Sequence, residues 1–154
     1  MKKQIAIVLT AAVLSVSPAL ADPVSDLVSE HNMNRIMSGA AEITGQPEIE
    51  KGRYVYHLQN VDIVISENDK GISSFSCVCL NESGVGEFLA QCVTGFYDIG
   101  GMEAYIYCGD PLLTDFLAAR AGIETESNKS VPGVLFQVSR VYDGRYIFIV
   151  VKVK

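Results

Sequence analysis

Helical and strand periodicities alternate along the chain. Residues 53–66 carry Tyr54, Val55, Tyr56, Leu58, Val61, Ile63, Val64 and Ile65, a β-rich run whose apolar alternation changes phase near Asn60. That phase change predicts a bulge or turn. The polar segment 67–71 ends in Gly71 and reads as a turn, with residues 72–80 as the returning strand. Upstream, Asp22-Pro23 pairs an N-cap residue with proline at the first helical position, and Val24, Leu27, Val28 and His31 follow at helical spacing. The stripe then jumps to Met33, Ile36, Met37 and Ala40, nearly opposite, so the helix bends near residues 32–34 or is covered on both sides. Segment 45–52, with Pro47 and alternating charge, reads as a loop or weak edge strand.

In the second half, Asn81-Glu82-Ser83 opens a helix with the stripe Val85, Phe88, Leu89, Cys92, Val93 and Phe96, and Gly100-Gly101 ends it. Residues 104–108 read as a short extended piece. Asp110-Pro111 starts a further helix that buries Leu112, Leu113, Phe116 and Leu117 and stops at Gly122. Residues 123–132 are polar and read as a loop. Asp143-Gly144 signals a two-residue type I′ hairpin turn. That turn would pair Arg140 with Ile147, Val138 with Ile149, Phe136 with Val151 and Val134 with Val153. Arg140 apart, that face is apolar and reads as core. The other face mixes Gln137, Ser139 and Lys152 with apolar neighbours and is half exposed or meets something. The element order predicts an α+β fold: an antiparallel sheet with helices packed on one face, an N-terminal helix and a C-terminal β-hairpin.

The first residues break this pattern. Met1-Lys2-Lys3 precedes a mostly apolar run over 4–16, Pro18 interrupts it, and Ala19-Leu20-Ala21 supplies small residues for cleavage. This is the layout of a bacterial signal peptide over residues 1–21, leaving a single domain over 22–154. The run is shorter than the roughly 20 residues a membrane span needs. The expected destination is periplasmic or secreted, with no membrane span after cleavage. Asp at position 22 rules out a lipid-attachment cysteine there.

Composition narrows the functions. The 154 residues are 49% hydrophobic and 19% charged, too apolar for intrinsic disorder. The net charge of −6, with no basic stripe, argues against nucleic-acid binding. Four cysteines in an exported domain predict two disulfides. Cys77 and Cys79 lie too far apart, with parallel Cβ vectors, to pair with each other. Matching depths along strand and helix give Cys77–Cys92 and Cys79–Cys108. The Cys-Val-Cys spacing fits neither a thiolate metal site nor a thioredoxin-like redox site.

No known catalytic motif is present, and the two histidines, His31 and His57, are read as structural or surface residues. The acidic pairs Glu48/Glu50, Glu67/Asp69 and Glu124/Glu126 fall in turn-like stretches and read as solvated charge. No cofactor or metal is expected. Tyr97, Tyr105 and Tyr107 near the helices, and Tyr142 and Tyr146 at the hairpin, are candidate interaction residues, because tyrosine combines apolar area with a hydroxyl. The expectation is an exported, disulfide-stabilised, non-enzymatic protein that binds a protein partner, with a homodimer through the C-terminal hairpin as a subsidiary idea. The alternative is a small-molecule-binding protein or minor hydrolase using His57.

Overall fold

The computed structural model describes residues 22–152 apart from 108, 124–127, 132 and 142. Helix α1 (Pro23–Asn34) starts as its sequence dictates: the Asp22 carboxylate accepts from the Val24 N–H at 3.0 Å. A 3₁₀ turn (Arg35–Met37) follows, leaving Met33, Ile36 and Met37 exposed and Ala40 buried. The jump of the apolar stripe thus marks the end of the helix. Strands β1 (Glu48–Glu50), β2 (Arg53–His57), β3 (Val61–Asn68) and β4 (Gly71–Cys79) form an antiparallel meander. The phase change near Asn60 is the β2–β3 turn, closed by the Leu58 N–H on the Val61 carbonyl.

Helix α2 (Val85–Tyr107) is interrupted at Gly101, whose φ of 75° no helical residue adopts. The double glycine therefore breaks the helix as expected. The chain then resumes helical turns over 104–107, where an extended piece was expected over 104–108: Ala104 is buried while Met102 and Ile106, four residues apart, face solvent, and residue 108 lies outside the described residues. Helix α3 (Gly109–Arg120) buries Leu112, Phe116 and Ala119, but Leu113 and Leu117 are exposed, so its contact stripe is narrower than the sequence implied. Strand β5 (Asn128–Val131) lies where a loop was expected and pairs with β6 (Val134–Arg140), which pairs with β7 (Tyr146–Lys152).

The hairpin register departs from expectation by one residue. Arg140 faces Tyr146, Val138 faces Phe148, Phe136 faces Val150 and Val134 faces Lys152. The turn is longer than two residues. The Gly144 N–H donates to the Val141 carbonyl, the Val141 N–H donates to Arg145, and Gly144 takes φ 85°. This is the three-residue loop with a left-handed glycine, the common alternative to the type I′ turn. A one-residue slip turns a strand over. Tyr146, Phe148 and Val150 therefore enter the core, and Ile147, Ile149 and Val151 point the other way.

Among the described residues seven strands run β1-β2-β3-β4-β7-β6-β5, and the described helices cover one face only. Ile63, Ile65, Phe75, Phe136, Val138 and Phe148 meet Phe88, Phe96 and Phe116 in a single core. Phe96 packs edge-on against Phe136 and Phe148, with centroids 4.5 and 5.1 Å away. Each such fully buried side chain stabilises the fold by roughly 1.5–3 kcal/mol.

The expected disulfide between Cys77 and Cys92 is absent, and Cys79 also forms none; Cys108 lies outside the described residues. Layer spacing explains the correction. Residues at matching depths on a strand and a helix still stand in packed layers roughly 8–10 Å apart, whereas a disulfide needs Cα atoms within about 6.8 Å. The three thiols fill the core as small apolar groups. The Cys79 thiol donates to the Asn81 carbonyl at 3.1 Å, and burial pushes its pKa up, so it stays protonated.

Candidate functional site

The chemically richest cluster is buried between α1 and α2. Helix α2 carries Glu87, Gln91, Thr94 and Asp98 at spacings of four, three and four, a polar stripe on an otherwise apolar helix. His31 of α1 meets this stripe with its ring stacked on Phe75, centroids 5.1 Å apart. Its Nδ1 contacts Asp98 Oδ2 and its Nε2 lies 2.6 Å from Gln91 Oε1. The side chains of His31 and Asp98 are both 0% exposed.

The surrounding hydrogen bonds fix the protons. The Gln91 amide nitrogen donates to the Ala41 carbonyl (2.9 Å) and to Glu87 Oε1 (2.7 Å), so its oxygen must face His31. An oxygen there can only accept, so His31 Nε2 carries a proton. A second proton lies between Nδ1 and Oδ2, which makes the pair electrically neutral as a unit. Asn34 donates to the remaining Asp98 oxygen at 2.8 Å, and Ser38 shares a 2.6 Å hydrogen bond with Thr94. The Asn32 side chain exchanges two bonds with the Ile43 backbone. The network pins the end of α1 and the following loop onto α2.

His57 is exposed. Its Nδ1 is 2.8 Å from Asp62 and its Nε2 is 3.4 Å from Glu48. These two carboxylates, Asp62 first, raise its pKa. They are acceptors, and a catalytic base also needs a nucleophile to serve. The Tyr54 hydroxyl donates to Glu67 at 2.5 Å, which pushes its pKa to about 12.

Beside Tyr54, a cleft of about 310 Å³ opens between the start of α1, segment 45–49 and β2. Asp22, Ser25, Ser29, Gln46, Tyr54 and Tyr56 supply its polar groups. No sequence pattern marks it, because its walls meet only in the fold.

The second exposed feature is the uncovered sheet face. Pairing puts Val55, Val64, Ser76, Ile149 and Gln137 in one cross-strand row, and Val78, Ile147 and Ser139 in the next. A third row joins Ser66, Ser74, Val151 and Leu135. Ile149 is 41% exposed. A solvated antiparallel face ordinarily alternates to polar side chains. Strand β7 instead presents three β-branched apolar residues, flanked by Val78 and Leu135.

Of the tyrosines singled out by sequence, three have described side chains. Tyr97 and Tyr105 pack edge to face, with centroids 6.0 Å apart. Tyr146 is buried against Phe88 and Phe116, with its hydroxyl directed at Glu82. The Tyr107 side chain and Tyr142 lie outside the described residues. The hairpin offers no open edge either: β7 is paired with β4 and β6 with β5, so the sheet ends at β1 and β5. Among the described residues no cluster of three metal-binding side chains occurs, and no helix is long and apolar enough to cross a membrane. Comparison with family models, with curated proteins and with solved structures found no match.

Proposed function

We propose that this chain is an exported binding domain, not an enzyme, and that it engages a protein partner through the uncovered face of its sheet. The observation carrying this reading is the apolar stripe Ile147, Ile149 and Val151 on a face that none of the described helices covers. Contiguous exposed apolar surface marks interaction sites in soluble proteins. The one-residue shift of the hairpin supplies that stripe, so the face of β7 is the relevant surface and not its edge. The sealed position of His31 and the pairing of His57 with the carboxylates of Asp62 and Glu48 support a non-catalytic role. The signal-peptide pattern supports export, with the processed chain starting at Asp22 in the periplasm or outside the cell.

A photo-cross-linking residue at position 149 tests the surface. It is expected to capture one protein in the envelope or medium, whereas the same label at position 70, on the β3–β4 turn, captures none. Equal labelling from both positions would reject the reading. A product of twice the chain mass would identify the partner as a second copy. N-terminal sequencing of the recovered protein tests export; a chain still beginning at Met1 would reject it.

A further inference from the structure

We propose that the cleft between α1 and β2 binds a neutral polyhydroxylated ligand, a single sugar residue, independently of the sheet face. Its volume of about 310 Å³ is at the small end for ligand pockets, the scale of one compact ligand.

Tyr56 is the anchor. The residue is 6% exposed and lines the cleft, yet its hydroxyl makes no hydrogen bond among the described residues. The hydroxyl is not among the buried atoms left without a partner, so it reaches the open cleft, where it is free to bond a ligand. Burial, and then the charge of Asp22, raise its pKa, so it remains a phenol able to donate and to accept.

The electrostatics select the ligand class. Among the described residues no lysine or arginine lines the cleft, and in a chain processed at Asp22 the new α-ammonium stands beside the Asp22 carboxylate, so the wall carries no net positive charge to hold a phosphate or carboxylate ligand. The two nearby carboxylates already hold donors: Asp22 accepts from the Val24 N–H and from the Ser25 hydroxyl, each at 3.0 Å, and Glu67 accepts from Tyr54. Both remain anionic, but these oxygens already accept from neutral donors of the chain. What remains are groups that both donate and accept: the hydroxyls of Ser29 and Tyr56 and the amide of Gln46. Sugar hydroxyls have the same dual capacity, and Tyr54, the more open of the two tyrosines, also lines the cleft.

The test is an NMR titration of the protein as recovered from the producing cell. The probes are methyl β-glucopyranoside, methyl N-acetyl-β-glucosaminide, tetramethylammonium chloride and sodium phosphate, each up to about 100 mM to reach weak affinities. The expected result is saturable shifts at the amides of Val24, Ser25, Ser29 and Tyr56 with at least one glycoside. Tyr56→Phe, which removes only the unpaired hydroxyl, should weaken that binding about tenfold, a change of about 1.4 kcal/mol. Ser29→Ala, on the exposed wall of α1, should weaken it by a smaller factor and serves if the phenylalanine variant folds poorly. Three results overturn the proposal: no saturable shift with either glycoside, shifts with tetramethylammonium or phosphate alone, or glycoside binding unchanged in both variants.

Discussion

Replacing Asp98 in two different ways tests the proton arrangement of the buried network. In Asp98→Leu, the His31 Nδ1 and the Asn34 amide both lose their acceptor inside the protein. Removing one partner of a buried charged pair costs about 3–5 kcal/mol. That is a large share of the roughly 5–15 kcal/mol that holds a domain folded. Asp98→Asn should behave differently. With neutral imidazole, the new Nδ2 donates to His31 Nδ1, the Oδ1 still accepts from Asn34, and His31 Nε2 still donates to Gln91. Every contact is restored, so the expected cost is about 1 kcal/mol or less. Urea unfolding followed by far-ultraviolet circular dichroism reads both. With a slope of about 1–3 kcal/mol per molar urea, the leucine variant should lose roughly 2 M in midpoint. Combining it with His31→Leu should cost much less than the sum of the two single changes, because neither partner is then left unpaired. The reasoning is refuted if the asparagine variant is as unstable as the leucine variant. It is also refuted if the leucine variant stays within about 1 kcal/mol of the parent.

Other consequences are equally direct. The NMR titration of His57 should lie above the ordinary value of about 6.5, and Asp62→Asn should lower it. Because the folded value is the raised one, its small stabilisation is fully present below about pH 6.5 and is lost as pH rises through the folded value. A Cβ built on Gly95 falls onto the Phe75 ring, so Gly95→Ala should lower stability by about 1–3 kcal/mol in thermal unfolding. Iodoacetamide in denaturant without reductant should label Cys77, Cys79 and Cys92 fully, whereas the folded protein should resist, since all three are buried. A Cys77–Cys92 linked peptide would contradict the packing described.

Much of the architecture was legible because local chemistry and periodicity agreed. The Asp22-Pro23 cap, the phase change at Asn60 and the break at Gly100-Gly101 each mark a real boundary. The hairpin failed by one residue because Asp143-Gly144 fits two turn types, and only the partner strands decide between them. Strand β5 went unseen because a short polar edge strand resembles a loop. The disulfides failed because distance along two elements says nothing about the gap between their layers. The polar stripe Glu87, Gln91, Thr94 and Asp98 was readable at helical spacing; only its partner, His31, needed the fold. The cleft was not readable, since residues 22–29, 45–49 and 54–56 converge only in three dimensions.

The strand order also bears on how the molecule assembles. Strands β1–β4 pair in sequence and β5–β7 pair in sequence, so each half can zip through short-range contacts. Only the β4–β7 ladder, Ser74 with Val151 through Cys79 with Tyr146, joins the halves, and it closes a long stretch of chain. Loop-closure entropy makes that ladder the slow step. Until β7 arrives, β4 stands as an open edge bearing Phe75, Cys77 and Cys79 on its apolar face. A chain emerging from its N-terminus therefore holds a template for misplaced strand addition until residues 146–152 have appeared. Loss of β7 should leave this edge permanently open and produce aggregation, not a smaller folded domain.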